Sequence, residues 1–163
     1  MRTITVGISN VKVSRSPDER LTALGLGSCI GLCAYDRRAR VAGMSHIMLP
    51  DSGGKLDNVG KYADTAVPAL IAAMEELGAS RGAMLCAFGG GAEVFSSGSD
   101  NPALSIGSRN IRAVRAALRL AGLRVLADDV GGNAGRTIAL SVATGLVSVT
   151  PVGGVEREIA KLG

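Results

Sequence analysis

The order of its predicted elements assigns this sequence to the mixed α/β class. Alternating apolar residues predict strands near both ends of the chain, and two segments of helical periodicity occupy the middle, each followed by a predicted strand. With 163 residues, of which 47% are hydrophobic and 20% charged, the chain is long enough to bury a core, and we expect residues 1–163 to form a single domain. The pattern alone leaves the arrangement of the layers open.

One strand and a hairpin are predicted near the start of the chain. Thr3 to Ser9 alternates apolar and polar residues, and Asn10 to Val13 is expected to continue that strand after a kink. Residues 16–20 form a predicted polar loop. The apolar-rich runs Ile30 to Tyr35 and Arg40 to Leu49 flank a polar tetrapeptide, which predicts a hairpin with a four-residue loop.

The register of that hairpin decides whether the chain has a catalytic pair. If Tyr35 lies opposite Arg40, then Cys29 falls opposite His46, the single histidine of the sequence. Directly opposed side chains in an antiparallel pair have Cβ atoms roughly 5 Å apart. This register would bring a thiol within reach of an imidazole, whereas a slip of one residue would turn the two side chains to opposite faces.

Two helices and the strands that follow them make up the middle of the chain. Tyr62 to Leu77 has apolar residues at helical spacing and ends at Gly78, and Pro68 predicts either a start near Asp64 or a slight kink. The other predicted elements are, in order, a buried strand at Ala83–Phe88, a loop at Glu93–Asn101, a second helix from about Ser108 to Ala121, and a strand at Arg124–Val130.

One uncharged segment and one arginine stripe raise the questions of a membrane span and of a nucleic-acid contact. Residues 137–155 contain no charged residue, but Ser, Thr, Gly and Pro interrupt them, so two buried strands and a turn explain this region better than a membrane span. Val155 to Leu162 is expected to be a short helix or tail. On the second helix Arg112, Arg115 and Arg119 form a stripe, which is more typical of a solvated face than of a nucleic-acid contact.

The composition restricts the class of protein further. Aromatic residues make up only 2% of the chain, so stacking on bases cannot be a major binding device. The net charge of +4 is dispersed, which favours an acidic partner without specifying nucleic acid. Three cysteines without regular spacing argue against a disulfide framework, and the first residues lack a signal-peptide pattern, so we expect a cytoplasmic protein.

The candidate site combines Leu24 to Cys29 with His46. An imidazole that removes the proton from a thiol produces the nucleophile of a cysteine hydrolase. The glycines at 25 and 27 permit unusual backbone conformations, and the amides of Gly27, Ser28 and Cys29 are suited to stabilise a developing oxyanion. A buried structural cysteine and a hydrogen-bonded structural histidine are the competing interpretation.

Other chemistries are less favoured. Cys29, Cys33, Cys86 and His46 would supply four zinc ligands, but the Cys-x-x-Cys pair of familiar structural sites is missing from the sequence. Cys29 and Cys33 would alternatively be redox partners. Residues 25–27 lack the third glycine of a dinucleotide-binding loop, and no Gly-Lys-Ser/Thr occurs. We therefore expect neither a metal nor a cofactor.

Several short motifs occur in one order along nearly the whole chain. They are LGLGSC at residues 24–29, HIMLP at 46–50, YAD at 62–64, FGGGA at 88–92, IGSRN at 106–110 and DVGGNAGR at 129–136. In these motifs and their order the sequence resembles the CheD family, the chemoreceptor glutamine deamidases of bacterial chemotaxis. The resemblance implies a three-layer α/β/β sandwich with mixed β-sheets and two main helices.

The resemblance also implies roles for individual residues. Cys29 would be the nucleophile and His46 its base. The family's third active-site residue is a threonine six positions before the cysteine, where this sequence has Ala23, with Thr22 one residue further away. Either a one-residue adjustment brings Thr22 to the ring, or a main-chain carbonyl near Ala23 orients the imidazole. We favour the carbonyl, because it needs no side chain.

The activity that the resemblance implies is a cysteine amidohydrolase, which converts receptor glutamines to glutamate through a thioester and also accepts glutamyl methyl esters. The expected partners are the cytoplasmic helical region of methyl-accepting chemotaxis receptors and a CheC-type phosphatase, without nucleic acid or membrane insertion. The alternative is a weakly catalytic or non-catalytic adaptor that binds and regulates such a phosphatase, and Ala23 is the feature that favours it.

Overall fold

The computed structural model describes residues 1–93 and 105–163. These residues form ten strands, two α-helices and a short 3-10 helix at Arg81–Ala83. The strands are β1 (Arg2–Thr5), β2 (Val11–Ser14), β3 (Glu19–Leu26), β4 (Ile30–Asp36), β5 (Val41–Ile47), β6 (Met84–Gly90), β7 (Arg124–Val130), β8 (Arg136–Ser141), β9 (Leu146–Pro151) and β10 (Arg157–Lys161), and the helices are α1 (Ala63–Glu76) and α2 (Ile106–Ala121).

The strands form two five-stranded mixed sheets. The first sheet has the order β1-β3-β8-β9-β10, and the second has the order β2-β5-β4-β6-β7. Each sheet contains one parallel pair, β1 with β3 in the first and β6 with β7 in the second, and its other pairs are antiparallel.

Two apolar cores separate three layers. The core between the helices and the second sheet includes Leu32, Leu70 and Phe88. The core between the two sheets includes Leu21 and Met44. Successive residues of a strand point to opposite faces, so the three central strands of the second sheet, β5, β4 and β6, are buried on both sides and are nearly continuous in apolar or small residues. The three-layer α/β/β sandwich with mixed sheets and two main helices is confirmed.

The β4–β5 hairpin differs from its predicted register by two residues. Tyr35 pairs with Ala42 rather than Arg40, and Gly31 pairs with His46. The reason is Asp36, which belongs to β4 and whose carboxylate accepts the N–H groups of the two residues at 38 and 39, so that the loop begins one residue later than predicted. A shift of two residues preserves the face on which every side chain lies.

The N-terminal segment is not a single kinked strand. β1 and β2 belong to different sheets, and the chain crosses between them near Ser9, which has a positive φ of 68°. The predicted polar loop is shorter than expected, because Glu19 and Arg20 begin β3. Glu19 is buried and bonds the side chains of Arg2 and Ser14, which explains why a charged residue starts an internal strand.

The helices lie close to their predicted positions. α1 begins at Ala63, one residue before the predicted start near Asp64, so Pro68 falls within its first two turns as expected. α2 begins two residues before the predicted Ser108, with the side chain of Ser105 accepting the Ser108 N–H, and ends at Gly122 in a left-handed conformation. Of the loop predicted at Glu93–Asn101, all but Glu93 lies outside the described residues.

The C-terminal region is entirely β-structure. The predicted pair of buried strands within 137–155 is confirmed as β8 and β9, whereas the short helix or tail expected at the end is instead β10. β10 pairs with the otherwise open edge of β9, and this long-range pairing overrides its local sequence preference. None of the helices in 1–93 and 105–163 is long and apolar enough to cross a membrane.

Candidate active site

Cys29 lies in the turn between β3 and β4, where its backbone is held at three successive carbonyl groups. The carbonyls of residues 27, 28 and 29 accept hydrogen bonds from the Ala92 N–H at 2.8 Å, the Asn110 side-chain amide at 2.8 Å and the Gly91 N–H at 3.0 Å, in that order. We call residues 27–29 the nucleophile turn, after the role that the sequence analysis predicts for Cys29. Its carbonyls all point toward β6 and α2, so its conformation is set from that side.

The N–H groups of the same turn have a different environment. In a trans peptide the N–H points opposite to the preceding carbonyl, so anchoring the carbonyls of Gly27 and Ser28 orients the N–H groups of Ser28 and Cys29 away from the anchors. Within the described part of the chain neither N–H donates a hydrogen bond. Two neighbouring N–H donors that none of the described residues engages are suited to bind an oxyanion.

Glycine is needed behind the turn for steric reasons. Gly90 has a φ of 116°, and a Cβ atom there would lie 2.0 Å from the Cys29 carbonyl oxygen. Gly91 has a φ of 68°, and its Cβ atom would lie 2.4 Å from Cγ1 of Ile111. The glycine run of β6 therefore permits the close approach that the Gly91 hydrogen bond to the nucleophile turn requires.

His46 lies on β5 with its ring fixed from one side. Its Nδ1 is 2.9 Å from the carbonyl oxygen of Val6. Because a carbonyl oxygen only accepts, Nδ1 carries the hydrogen of the neutral ring, and Nε2 presents a lone pair. Burial lowers the pKa of His46, and the hydrogen bond to Val6 opposes this effect. The imidazole is therefore neutral at physiological pH.

Cys29 and His46 share the layer between the two sheets. Ala42 and Met44 belong to the inter-sheet core, so His46, which follows at the same alternation on β5, points into that layer. Cys29 packs against the same core and is partly exposed. Cys29 lies two residues before Gly31, which pairs with His46. Diagonal neighbours in a regular antiparallel ladder have Cβ atoms roughly 7 Å apart, which places Cys29 on the same face as His46 and near it.

Burial also affects the candidate nucleophile. It raises the pKa of the Cys29 thiol above its ordinary value. With the pKa of His46 lowered, both groups favour their uncharged forms in the free protein. A resting thiolate–imidazolium ion pair is therefore disfavoured, and the proton has to move when a substrate is present.

The carbonyl that contacts the ring comes from Val6, in the segment that directly follows β1. Ala23 is buried in the inter-sheet core, as is Leu21, so the side chain of Thr22 points to the opposite face of β3. The main chain of Thr22 accepts the Val6 N–H at 2.8 Å. The carbonyl that contacts His46 is therefore that of Val6, not one near Ala23 as expected. Thr22 contributes only indirectly, because its carbonyl holds the Val6 N–H.

The zinc alternative is inconsistent with this placement. Cys33 lies in the inter-sheet core, whereas Cys86 lies in the core beside the helices, so the two thiols are on opposite faces of the second sheet. Burial raises the pKa of Cys86 to about 12. Across 1–93 and 105–163 no group of three or more His, Cys, Asp or Glu side chains is placed to hold a metal ion.

The motif at 129–136 forms a neighbouring wall of the site. The side chain of Arg136 is almost fully buried and donates to the Asp129 carbonyl at 2.7 Å, to the Asp129 carboxylate at 2.5 Å, and to the carbonyl of Gly131. The Gly131 N–H donates in turn to Gly90, which contacts Cys29. Arg136 therefore orders a loop that supports the nucleophile turn.

Two further surface features lie away from Cys29. A groove of about 470 Å³ opens between α1 and α2, but none of the residues that line it is a cysteine or histidine, and its Asp64 already accepts two hydrogen bonds from Ser52. Of the arginine stripe on α2, Arg115 pairs with Asp128, and Arg112 and Arg119 are exposed, as a solvated face predicts.

The sequence interpretation missed Val6 and Asn110 as site residues. Asn110 had a detectable signal, because the residues of α2 at 107, 110, 114 and 118 follow helical spacing and are all buried. A polar residue on a buried helical face needs partners, which marks it for attention. Val6 had no such signal, since its contribution is a main-chain carbonyl.

A three-layer α/β/β sandwich with a partly exposed thiol and a neutral imidazole in one layer defines a candidate cysteine hydrolase. The CheD family model, described as CheD chemotactic sensory transduction, matches residues 48–151. The chain is 45% identical, over 94% of its length and 95% of the relative, to the probable chemoreceptor glutamine deamidase CheD of Symbiobacterium thermophilum. It is 42% identical to the chemoreceptor glutamine deamidase CheD of Thermotoga maritima, over 93% of this chain and 94% of the relative. The chain belongs to the CheD family.

A solved structure has a similar fold. The crystal structure of a Neisseria meningitidis protein of the DUF152 family matches with a TM-score of 0.53 and 12% identity, covering 82% of this chain. The chain spans 65% of the length of that protein. At this identity the likeness concerns the fold alone.

Proposed function

We propose that this protein is a cytoplasmic chemotaxis enzyme that hydrolyses the side-chain amide of chemoreceptor glutamines to glutamate and ammonia. Its relatives are named for that activity. The observation that carries the proposal is the nucleophile turn, in which a partly exposed thiol stands beside two N–H groups that donate to no residue of 1–93 or 105–163 and shares a layer with a neutral imidazole. The methyl-accepting chemotaxis receptors, through their cytoplasmic helical region, are the proposed substrates.

The first half of the reaction forms a thioester. Nε2 of His46 accepts the proton of the Cys29 thiol as the sulfur attacks the carbon of the glutamine amide. The N–H groups of Ser28 and Cys29 stabilise the negative oxygen of the tetrahedral intermediate. His46 then returns the proton to the departing nitrogen, the C–N bond breaks, and ammonia leaves.

The second half restores the enzyme. His46 accepts a proton from water, the resulting hydroxide adds to the thioester carbonyl, and the same two N–H groups stabilise the second oxyanion. The C–S bond breaks, the thiol recovers its proton from His46, and a receptor glutamate is released. The balance is one amide and one water converted to one carboxylate and one ammonium ion, so no cofactor takes part.

A glutamyl methyl ester fits the same pathway. Methanol replaces ammonia as the leaving group, and the thioester and its hydrolysis are unchanged. A methoxide needs the same protonation by His46 as an amide nitrogen does. We therefore propose methyl ester hydrolysis as a second reaction of the same Cys29.

The proposed function is tested with the cytoplasmic fragment of a methyl-accepting receptor. Wild-type protein should release ammonia and convert specific glutamines to glutamate, as followed by an ammonia assay and peptide mass spectrometry. Cys29→Ala should abolish both. Cys33→Ala is the matched control, because it removes a thiol from the same inter-sheet core that Cys29 packs against and should retain activity. Conversion by Cys29→Ala at the wild-type rate would refute the assignment.

A second candidate function is an adaptor that binds a CheC-type phosphatase. The feature that favours it is Ala23, which places no hydroxyl in the layer that contains His46. An adaptor would bind the phosphatase equally well as wild type and as Cys29→Ala, while neither released ammonia from a receptor. Titration calorimetry with the phosphatase, run beside the ammonia assay, separates the two functions.

A further inference from the structure

Asn110 connects the two halves of the candidate site. This α2 residue is fully buried, and its side-chain amide donates to the carbonyl of Ser28 at 2.8 Å and to the carbonyl of Met48 at 3.0 Å. Ser28 precedes Cys29 directly, and Met48 follows His46 by two residues. One side chain therefore holds both the nucleophile turn and the segment that continues from the histidine strand.

We propose that Asn110 is a positioning residue, which sets the oxyanion-binding N–H of Cys29 by holding the carbonyl of Ser28. The proposal rests on the proposed function, because it concerns the same deamidation. Asn110 does not touch the substrate; it acts through the peptide that joins Ser28 to Cys29. That peptide is planar and trans, so a hydrogen bond to its carbonyl from one side fixes its N–H on the other.

The chemistry of the side chain supports this role. An amide nitrogen has two hydrogens, and Asn110 uses both on carbonyl oxygens. The reverse orientation would place its own oxygen against two other oxygens, so the partners determine which way the amide faces. In the described part of the chain, Oδ1 of Asn110 accepts no hydrogen bond. The contacts of Asn110 with the candidate site are therefore made by its two N–H donors.

A variant at this position should affect steps that form an oxyanion more than steps that do not. Deamidation passes through a tetrahedral oxyanion, whereas alkylation of a thiol by iodoacetamide displaces iodide at a saturated carbon and forms none. Loss of one oxyanion donor lowers kcat by about 10²–10³ fold. We expect Asn110→Ala to lower kcat for the receptor fragment by about 100-fold while the rate of Cys29 alkylation changes less than about threefold.

Two further variants separate positioning from packing. Val114 lies on the same buried face of α2. Val114→Ala removes apolar packing from this face without removing a hydrogen bond, and should leave kcat near wild type. Asn110→Asp keeps the shape but places a carboxylate against two carbonyls, which raises its pKa. Because only the protonated acid donates, the activity of this variant relative to wild type should rise as the pH falls.

The results decide between the roles. Parallel losses of deamidation and alkylation in Asn110→Ala, or a pH-independent activity ratio for Asn110→Asp, would overturn the positioning role. If wild-type protein releases no ammonia, the proposed function fails, and the role is tested without it. A ¹³C-labelled small aldehyde forms a hemithioacetal at Cys29 that uses the same N–H group, and equal adduct formation by wild type and Asn110→Ala, followed by NMR, would also overturn it.

Discussion

The carbonyl oxygen of Val6 lies 2.9 Å from Nδ1 of His46, and this contact sets the tautomer of the only imidazole in the chain. Val6 belongs to the segment that crosses from the first sheet to the second, and its N–H is held by Thr22. A main-chain acceptor orients the ring but carries no full charge, so it stabilises an imidazolium less than a carboxylate would. This partner therefore favours the neutral form of the His46 ring.

The first prediction concerns Ala23, where the family resemblance places a threonine. We expect Ala23→Thr to give no gain in kcat, because Nδ1 of His46 already has its partner in Val6. The buried hydroxyl should instead lower the free energy of unfolding by about 1–3 kcal/mol. Denaturant unfolding and the ammonia assay measure the two effects, with Ala23→Val as the control of similar volume. A faster Ala23→Thr enzyme would mean that the hydroxyl reaches the ring.

The second prediction is a pH dependence of thiol reactivity. Burial raises the pKa of Cys29 and lowers that of His46, so no ion pair supplies thiolate at neutral pH. Alkylation of Cys29 by iodoacetamide should rise in a single step, with a midpoint above the ordinary thiol pKa of about 8.5. A plateau of reactivity reaching down to acidic pH would reveal an ion pair and contradict this expectation.

The third prediction concerns stability at acidic pH and follows from the lowered pKa of His46. The unfolded chain binds a proton at this position below about pH 6.5, whereas the folded chain binds it only at lower pH. Folding stability therefore decreases as the pH falls through this window. Unfolding free energies measured between pH 7 and 5 should show a smaller decrease for His46→Gln than for wild type. If the unfolding free energies of wild type and His46→Gln decrease in parallel with pH, groups other than His46 cause the loss of stability at acidic pH.

The sequence predicted which face of the hairpin each side chain occupies, but not the exact pairing of its two strands. The predicted register was wrong by two residues. Because side chains alternate between the two faces with a period of two, Cys29 and His46 still lie on the same face. The register depends on Asp36, which the sequence analysis assigned to the loop. In the structure Asp36 ends β4, and its carboxylate caps the turn that follows. Val6 reaches the ring through long-range packing, which no local pattern specifies.

The elements of the fold also divide into those that local sequence patterns predicted and those that long-range contacts determine. The two helices and the strands β6 to β9 were predicted from the local apolar pattern of the sequence. β10 was expected as a helix or tail, because its strand character comes only from the edge of β9. The layer order came from the family resemblance, since alternation alone does not say which face of a sheet meets a helix.

The fourth prediction tests the close approach at Gly90. Gly90→Ala combines a positive φ with a Cβ atom 2.0 Å from the Cys29 carbonyl oxygen. We expect a loss of about 3 kcal/mol or more in unfolding free energy and a displaced nucleophile turn. Gly122→Ala is the matched control, because it has a φ of 73° but no atom within 4 Å of the new Cβ, and should cost about 1 kcal/mol. Similar losses for both variants would show that strain rather than the clash dominates.

The fifth prediction compares two arginines that share one carboxylate. Asp129 pairs with Arg136, whose side chain is 9% exposed, and with Arg157, whose side chain is 59% exposed. Arg136→Lys should cost about 2–3 kcal/mol, because a single ammonium cannot satisfy the buried carbonyls that the guanidinium reaches, whereas Arg157→Lys should cost less than about 1 kcal/mol. Since the loop held by Arg136 is hydrogen-bonded to Gly90, Arg136→Lys should also slow deamidation, and Arg157→Lys should not. Denaturant unfolding and receptor-fragment assays of both variants test this, and equal effects at the two positions would refute the link between the loop and the nucleophile turn.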